Sequence, residues 1–178
     1  MPANRSASHG GQRVTWPVCR NAKPVPGVVR FMTLEGEYVP SKAKWVRDQV
    51  EKYEATGGAE ANTLPGTNYP IVVITSRGAK SGNLRKNPVM RVERDGIYVA
   101  IASKGGADEQ PEWYYNFLAN PEVDLQDGAV PKSYKAEVVE GEERADLWQL
   151  SVDTWPTYAS YQEKTERQIP VFKLTPID

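Results

Sequence analysis

From Tyr69 onward the sequence alternates short runs of β-branched and aromatic residues with turn residues, and this pattern limits the fold more than any other feature. An Asp95-Gly96 pair separates two of these runs and is typical of a tight hairpin. The predicted strands cover residues 71–75, 89–93, 97–103, 123–126, 132–139 and 169–174. The predicted helices among them cover residues 111–119, 142–154 and 157–165. Many short strands with helices at their ends favour an antiparallel barrel, closed or half-closed, over a βαβ sheet.

The beginning of the chain has a different composition. Residues 1–38 mix Gly, Pro, Ser and Arg without a sustained period, which predicts a flexible N-terminal extension. Residues 39–178 are long enough for one hydrophobic core and too short for two ordinary domains, so they are expected to form a single domain. Ser41 can cap a first helix, and Gly57-Gly58 can end it. The apolar positions of that helix have helical spacing: Ala43, Val46, Val50 and Tyr53.

Composition excludes several classes of function. The charges nearly cancel, with 22 basic and 23 acidic side chains, so no nucleic-acid partner is expected. Cys19 and His9 are the only cysteine and the only histidine, which argues against disulfides, metal centres and nucleophilic triads. The sequence contains neither a signal-peptide core nor a stretch of about 20 apolar residues. We therefore expect no integral membrane segment and a cytoplasmic location.

Residues 77–88 connect the first two predicted strands and concentrate positive charge. They contain two glycines, a serine and the basic residues Arg77, Lys80, Arg85 and Lys86. Exposed N–H groups and charge-assisted donors in such a loop suit a phosphate or carboxylate tail. A solvated, lysine-rich hairpin loop explains the same composition equally well.

A second candidate segment covers residues 103–116. The glycines of Ser103-Lys104-Gly105-Gly106 allow the backbone to approach a planar or phosphorylated ligand, and Lys104 adds a positive charge. Trp113 follows on the next predicted helix, where it fits either a binding wall or the hydrophobic core.

A third candidate segment covers residues 155–170. Tyr158 and Tyr161 are three residues apart and therefore share one face of a short helix, with Trp155 nearby. Two phenols on one face can line an apolar pocket and leave their hydroxyls to orient or protonate a substrate. Half-buried structural tyrosines would show the same spacing.

Four ordered blocks of sequence resemble the deazaflavin-dependent nitroreductase family, over a stretch from about Trp45 to Pro176. The blocks are GAKSGNLRKNP, VAIASKGGADEQPEWYYN, NPEVDLQDG and WPTYASYQEKTERQIPVF. The resemblance implies a mainly β, α+β fold: an antiparallel split β-barrel of the flavin-binding type with peripheral helices. It also implies that coenzyme F420 lies across a groove of the barrel.

The resemblance further implies roles for individual residues. Lys80 and Arg85, with the backbone of Ala79 and Ser81, would hold the phosphate and the oligoglutamate tail. The implied coenzyme-binding residues are Ala79, Lys80, Ser81, Arg85, Lys86, Asn87, Pro88, Met90, Ile101, Ala102, Ser103, Lys104, Gly105, Gly106, Trp113, Tyr114 and Asn116. The implied catalytic residues are Ser103, Tyr158 and Tyr161, and the implied substrate pocket consists of Trp155, Tyr158 and Tyr161.

The implied activity is transfer of a hydride from reduced F420 to a small enone, quinone or nitroaromatic acceptor. The protein then has only to bind, orient and supply a hydrogen bond or proton, which needs no histidine, cysteine or metal. Met90 and Trp155 stand where the best-known nitroreductase branch has tyrosines, so nitroimidazole reduction is not implied. Two alternatives remain: an F420 carrier without turnover, and an FMN-binding oxidoreductase on the same barrel. The basic loop favours a long acidic tail over one phosphate, and the tyrosine pair favours turnover.

Overall fold

The computed structural model describes residues 34–177, and these form one antiparallel seven-stranded sheet with four α-helices. The strands are β1 (Ile71–Arg77), β2 (Leu84–Met90), β3 (Val92–Arg94), β4 (Ile97–Ile101), β5 (Glu122–Gln126), β6 (Pro131–Val138) and β7 (Val171–Pro176). The helices are α1 (Lys44–Ala55), α2 (Glu112–Ala119), α3 (Gly141–Thr154) and α4 (Thr157–Glu163), and a short 3₁₀ turn covers Lys104–Gly106. Within residues 34–177, no helix is long and apolar enough to cross a membrane.

The sheet curls into a split barrel because its two edge strands are consecutive in the chain. The strand order is β2-β1-β5-β6-β7-β4-β3, and Arg91 alone separates β2 from β3. The Arg91 N–H donates to the Pro70 carbonyl at 2.9 Å, and its guanidinium pairs with Asp127 at 2.6 Å. The Tyr98 hydroxyl donates to the same Asp127 carboxylate at 2.7 Å. These contacts attach the corner between β2 and β3 to the start of β1, the end of β5 and β4, and the predicted antiparallel split barrel is confirmed.

Two predicted boundaries around β2 are wrong. Residues 89–93 are not one strand, because the chain passes from one sheet edge to the other at Arg91. Residues 84–88, predicted as part of a loop, belong to β2, where Leu84 pairs with Arg77 and Pro88 pairs with Val73. An edge strand accepts proline and polar side chains, since one of its sides is not paired. The remaining connection is residues 78–83.

The sheet is buried on both faces, as the apolar run at the start of β1 predicted. Val73 faces a core shared with α1, α3 and α4, whereas Ile74 faces a core closed by Trp113 and Phe117 of α2. The Asp95-Gly96 hairpin is confirmed, since both residues have positive φ (56° and 80°), as a type I′ turn requires.

The segment before α1 lies against the edge of the sheet. The Leu84 N–H donates to the Glu37 carbonyl at 2.8 Å, and the Val39 N–H donates to the Leu84 carbonyl at 3.0 Å. Glu37 and Tyr38 of the predicted extension therefore contact β2. Residues 1–33, including Cys19 and His9, lie outside the described residues, and the extension stays a prediction there.

Candidate active site

A cavity of about 760 Å³ lies between α1, β2, the end of β4 and α4. It brings together fourteen of the predicted site residues: Arg85, Lys86, Asn87, Pro88, Met90, Ile101, Ser103, Lys104, Gly105, Trp113, Asn116, Trp155, Tyr158 and Tyr161. These residues come from three separate sequence segments, so the fold joins the three candidate segments into one site. Their individual roles remain predictions.

One part of the cavity wall is cationic. The Arg85 guanidinium donates to the Val39 carbonyl at 3.2 Å and has no acidic partner within residues 34–177. Lys86, by contrast, forms an ion pair with Glu54 of α1, and its ammonium lies 4.8 Å from the centre of the Tyr38 ring. The charge of Lys86 is therefore largely balanced inside the protein, whereas Arg85 can bind an anion.

The loop 78–83 lies outside the cavity, so Ala79, Lys80 and Ser81 do not line it. The Ala79 N–H, predicted to bind phosphate, donates to Asn116 Oδ1 at 2.9 Å. The Ser81 hydroxyl accepts a hydrogen bond from the Asn83 N–H at 3.3 Å. These hydrogen bonds attach the loop to α2 and close it on itself. They give backbone N–H groups of the turn acceptors within the protein.

The turn after β4 has an unusual backbone. Lys104, Gly105 and Gly106 have φ values of 47°, 68° and 85°, all in the left-handed region. A side chain on Gly106 would place its Cβ 2.8 Å from the Tyr161 carbonyl oxygen. Gly106 therefore permits close packing of this turn against α4 and does not line the cavity, whereas Ser103, Lys104 and Gly105 do.

Arg167, which the sequence did not single out, fixes this turn. Its guanidinium donates to the carbonyls of Ala102 (3.1 Å), Ser103 (3.0 Å) and Ala107 (2.8 Å) and to the Gln110 side chain (2.8 Å). Burial lowers the pKa of Arg167, though an arginine remains charged at neutral pH. One side chain thus holds the whole segment that carries Ser103 and Lys104.

Two further predicted residues lie outside the cavity. Ala102 is 0% exposed and belongs to the core under α2. Tyr114 packs its ring 5.7 Å from that of Phe172 and belongs to the same core. Their sequence neighbours Ile101 and Trp113 do line the cavity. Consecutive residues of an extended segment point to opposite sides, and consecutive residues of a helix point in different directions.

Aromatic side chains line another part of the cavity. The Trp155 ring meets Tyr158 and Tyr161 edge-on, with centroid distances of 4.9 and 5.6 Å. Tyr158 is 4% exposed, and its hydroxyl has no hydrogen-bond partner within residues 34–177. Burial, and secondarily Tyr161, raises the pKa of Tyr158, so its phenol stays protonated at neutral pH. This hydroxyl can donate a hydrogen bond and is a poor source of a free proton.

The sequence missed the contribution of the segment around α1. Lys42, Trp45 and Gln49 line the cavity. Lys42 precedes α1, whereas Trp45 and Gln49 belong to this helix, whose apolar face was recognised from the sequence. Trp45 and Gln49 are four residues apart and therefore lie on one side of α1, which was the available signal. The other lining residues not predicted are Val39, Ser41, Val46, Leu64, Ile71, Val89, Pro111 and Glu112.

Comparison with known proteins identifies the family. Residues 45–176 match the sequence pattern of the F420H(2)-dependent quinone reductase family. An F420H(2)-dependent quinone reductase of Mycobacterium tuberculosis is 32% identical over 126 residues, which cover 69% of this chain and 84% of that protein. A solved structure of an F420-H2 dependent reductase is 51% identical, with 59% of this chain and 93% of that chain covered and a TM-score of 0.57. A second solved chain, described as a domain-swapped dimer, is 46% identical, with 75% and 99% covered and a TM-score of 0.59.

These matches support quinone reduction as the family activity and do not show nitro-group reduction, which stays a prediction. The chain belongs to the F420H(2)-dependent quinone reductase family, which confirms the predicted oxidoreductase class and its hydride donor, reduced F420.

Proposed function

We propose that this protein reduces small quinones at the aromatic side of the cavity, beside Trp155, Tyr158 and Tyr161. The observation that carries the proposal is that one cavity contains both a cationic wall and an aromatic wall. The cationic wall suits an acidic coenzyme tail, and the aromatic wall suits a flat, apolar acceptor. Enones have a similar shape and are expected to react at the same place.

The residues of the cavity fit coenzyme F420. The volume of the cavity, about 760 Å³, is within the usual range of small-molecule sites. Arg85 and Lys42 would hold the acidic tail, and Asn87, Pro88 and Ile101 would form the wall beside the ring system. When bound in its reduced form, F420 supplies the hydride. Lys104 and Gly105, on a turn fixed by Arg167, would border the ring.

The tyrosines would orient the acceptor. The raised pKa of Tyr158 keeps its hydroxyl in the protonated form, which donates a hydrogen bond to an acceptor oxygen. A hydrogen-bond donor held in a fixed position stabilises negative charge that develops on such an oxygen. Trp155 holds both phenols by edge-on contacts, and Ser103, 8% exposed at the end of β4, is a second candidate donor.

Coenzyme preference tests this proposal. We expect F420 to bind more tightly than FMN, because a polyanionic tail meets Arg85 and Lys42 whereas FMN offers one phosphate. Fluorescence titration measures both dissociation constants, and the F420 constant should rise with salt as the ion pairs are screened. Equal affinity for FMN and F420 would contradict the proposal. Binding of F420 without oxidation of F420H2 by menadione would instead indicate a carrier.

Two variants, Arg85→Ala and Lys80→Ala, distinguish binding of the coenzyme tail at the cavity wall from binding along the neighbouring loop. Arg85→Ala should weaken F420 binding about tenfold, since a charge-assisted hydrogen bond contributes roughly 1.5 kcal/mol or more. Lys80→Ala removes a cation of the loop that does not line the cavity, and its effect should be smaller. The same titration measures both, with Tm as a control for folding. A larger effect at Lys80 would show that the tail binds along the loop instead.

A further inference from the structure

Glu54 of α1 neutralises a lysine of the cavity wall. Its Oε1 lies 2.5 Å from the ammonium of Lys86, and this is the only ion pair of Lys86 among residues 34–177. Lys86 lines the cavity with a side chain that is 19% exposed, whereas Glu54 does not line it. The centre of the Tyr38 ring lies 4.8 Å from the same ammonium. The lysine side chain therefore borders the cavity while its charge is engaged by the protein.

Glu54 is the carboxylate that decides the charge of this wall, although a second carboxylate lies nearby. The charge of Lys86 also acts on the buried side chain of Asp124. The Asp124 carboxylate, however, accepts hydrogen bonds from the Leu34 N–H and from the Ser133 hydroxyl, the latter at 2.9 Å. Both of these donors are uncharged groups. Removing the charge of Glu54 would therefore leave Lys86 without an ion-pair partner among residues 34–177.

An acidic ligand could take the place of Glu54 at this ammonium. A partly exposed ion pair contributes little to the free energy of unfolding, because water screens both charges. A carboxylate or phosphate of the ligand can accept the same charge-assisted hydrogen bond. The helix nevertheless keeps Glu54 beside Lys86, so the ligand must compete with it. An acidic ligand should therefore gain less from Lys86 than from Arg85, which has no acidic partner within residues 34–177.

We propose that Glu54 competes with the acidic tail of the coenzyme for Lys86 and thereby lowers the affinity of the cavity for that tail. This inference deepens the proposed function and rests on it. Removing the charge of Glu54 makes a further cation of the wall available beside Arg85, so the coenzyme binds more tightly. If Glu54 served only to hold Lys86 in place for the coenzyme, the same change would weaken binding.

Glu54→Gln tests the proposal, because it keeps the shape of the side chain and an acceptor for the Lys86 ammonium but removes the negative charge. Fluorescence titration measures the binding of F420 and of its deazaflavin nucleoside, which lacks the phosphate and the tail. We expect F420 to bind about fivefold more tightly, as one partly exposed charge pair allows, while the affinity for the nucleoside stays the same. The gain should shrink as the salt concentration rises, because salt screens the interaction.

Glu51→Gln is the matched control. Glu51 lies one turn before Glu54 on the same side of α1, is exposed and forms no ion pair within residues 34–177. Its substitution makes the same change in net charge and should alter F420 affinity by less than about twofold. In a Lys86→Met background, Glu54→Gln should give no larger gain than this control, because the lysine that it releases is absent.

Three results would overturn the proposal: unchanged or weaker F420 binding in Glu54→Gln, an equal gain in Glu51→Gln, or an equal gain for the nucleoside. Thermal unfolding checks that Glu54→Gln is folded. If it is not, Glu54→Ala gives the same test, because alanine removes the carboxylate and favours a helix. Failure of the parent protein to bind F420 would overturn the proposed function, which is a separate result from any of these.

Discussion

Replacing Arg167 with alanine should lower the free energy of unfolding by about 3 kcal/mol and Tm by about 10 °C. The guanidinium donates to three backbone carbonyls and one side-chain oxygen, and alanine removes all four of these hydrogen bonds, although the Ser103 carbonyl keeps the one from the Gly106 N–H at 2.9 Å. Those carbonyls belong to the turn that carries Ser103 and Lys104. Thermal unfolding followed by circular dichroism measures the stability, and fluorescence titration measures the expected loss of F420 affinity.

The role of Arg167 as a positioning residue needs a readout that general destabilisation does not give. Hydrogen exchange should increase in residues 102–110 more than in the rest of the sheet when the protein is kept well below its Tm. Arg94→Ala is the matched control, because Arg94 is an exposed arginine whose only ion pair among residues 34–177 is with exposed Asp146, and it should leave Tm and coenzyme affinity almost unchanged. Arg167→Lys should recover only part of the stability, because lysine keeps the positive charge but lacks the planar fork that reaches several carbonyls. An equal increase in hydrogen exchange throughout the Arg167→Ala protein would mean that Arg167 supports the fold as a whole and not the site in particular.

The strands could be predicted from the sequence because each depends on a local pattern. The run at 71–75 is apolar at every buried position, and its strand is paired on both sides in a sheet covered on both faces. The break at Arg91 could not be predicted, because it follows from where β2 and β3 lie in the closed sheet and not from the residues around it. Residues 84–88 were misassigned for a related reason: their polar side chains suit an edge strand and a loop equally well.

Charge alone could not rank the basic residues of the site. Lys86 and Arg85 are neighbours in sequence, yet Lys86 is balanced by Glu54, which comes from α1 and lies 32 positions away. The Ala79 N–H is likewise engaged by Asn116 of α2. Such partners depend on tertiary contacts between distant segments. The aromatic wall was easier to find, since Trp155, Tyr158 and Tyr161 lie within one short stretch.

The two tyrosines of the aromatic wall are expected to assist turnover. Tyr158→Phe should lower kcat and kcat/KM for menadione together, by about ten- to a hundredfold, as loss of a hydrogen bond that stabilises charge in the transition state does. The hydroxyl has no partner within residues 34–177, so its loss should leave the stability of the free protein nearly unchanged. The ring remains and keeps its edge-on contact with Trp155. Coenzyme affinity should therefore survive.

Tyr161→Phe is the matched variant on the same helix face, and it keeps the contact of the ring with Trp155. Because burial raises the pKa of Tyr158 above its ordinary value of 10, the phenol does not ionise in the neutral range, and its contribution should not depend on pH there. Steady-state oxidation of F420H2 with menadione, cyclohexenone and a nitroimidazole measures kcat and KM for both variants. A rise in KM alone would mean that the hydroxyl binds the ground state and the transition state equally. Unchanged kcat in both variants, for every compound that the parent reduces, would mean that the tyrosines only fill the wall and that water supplies the proton.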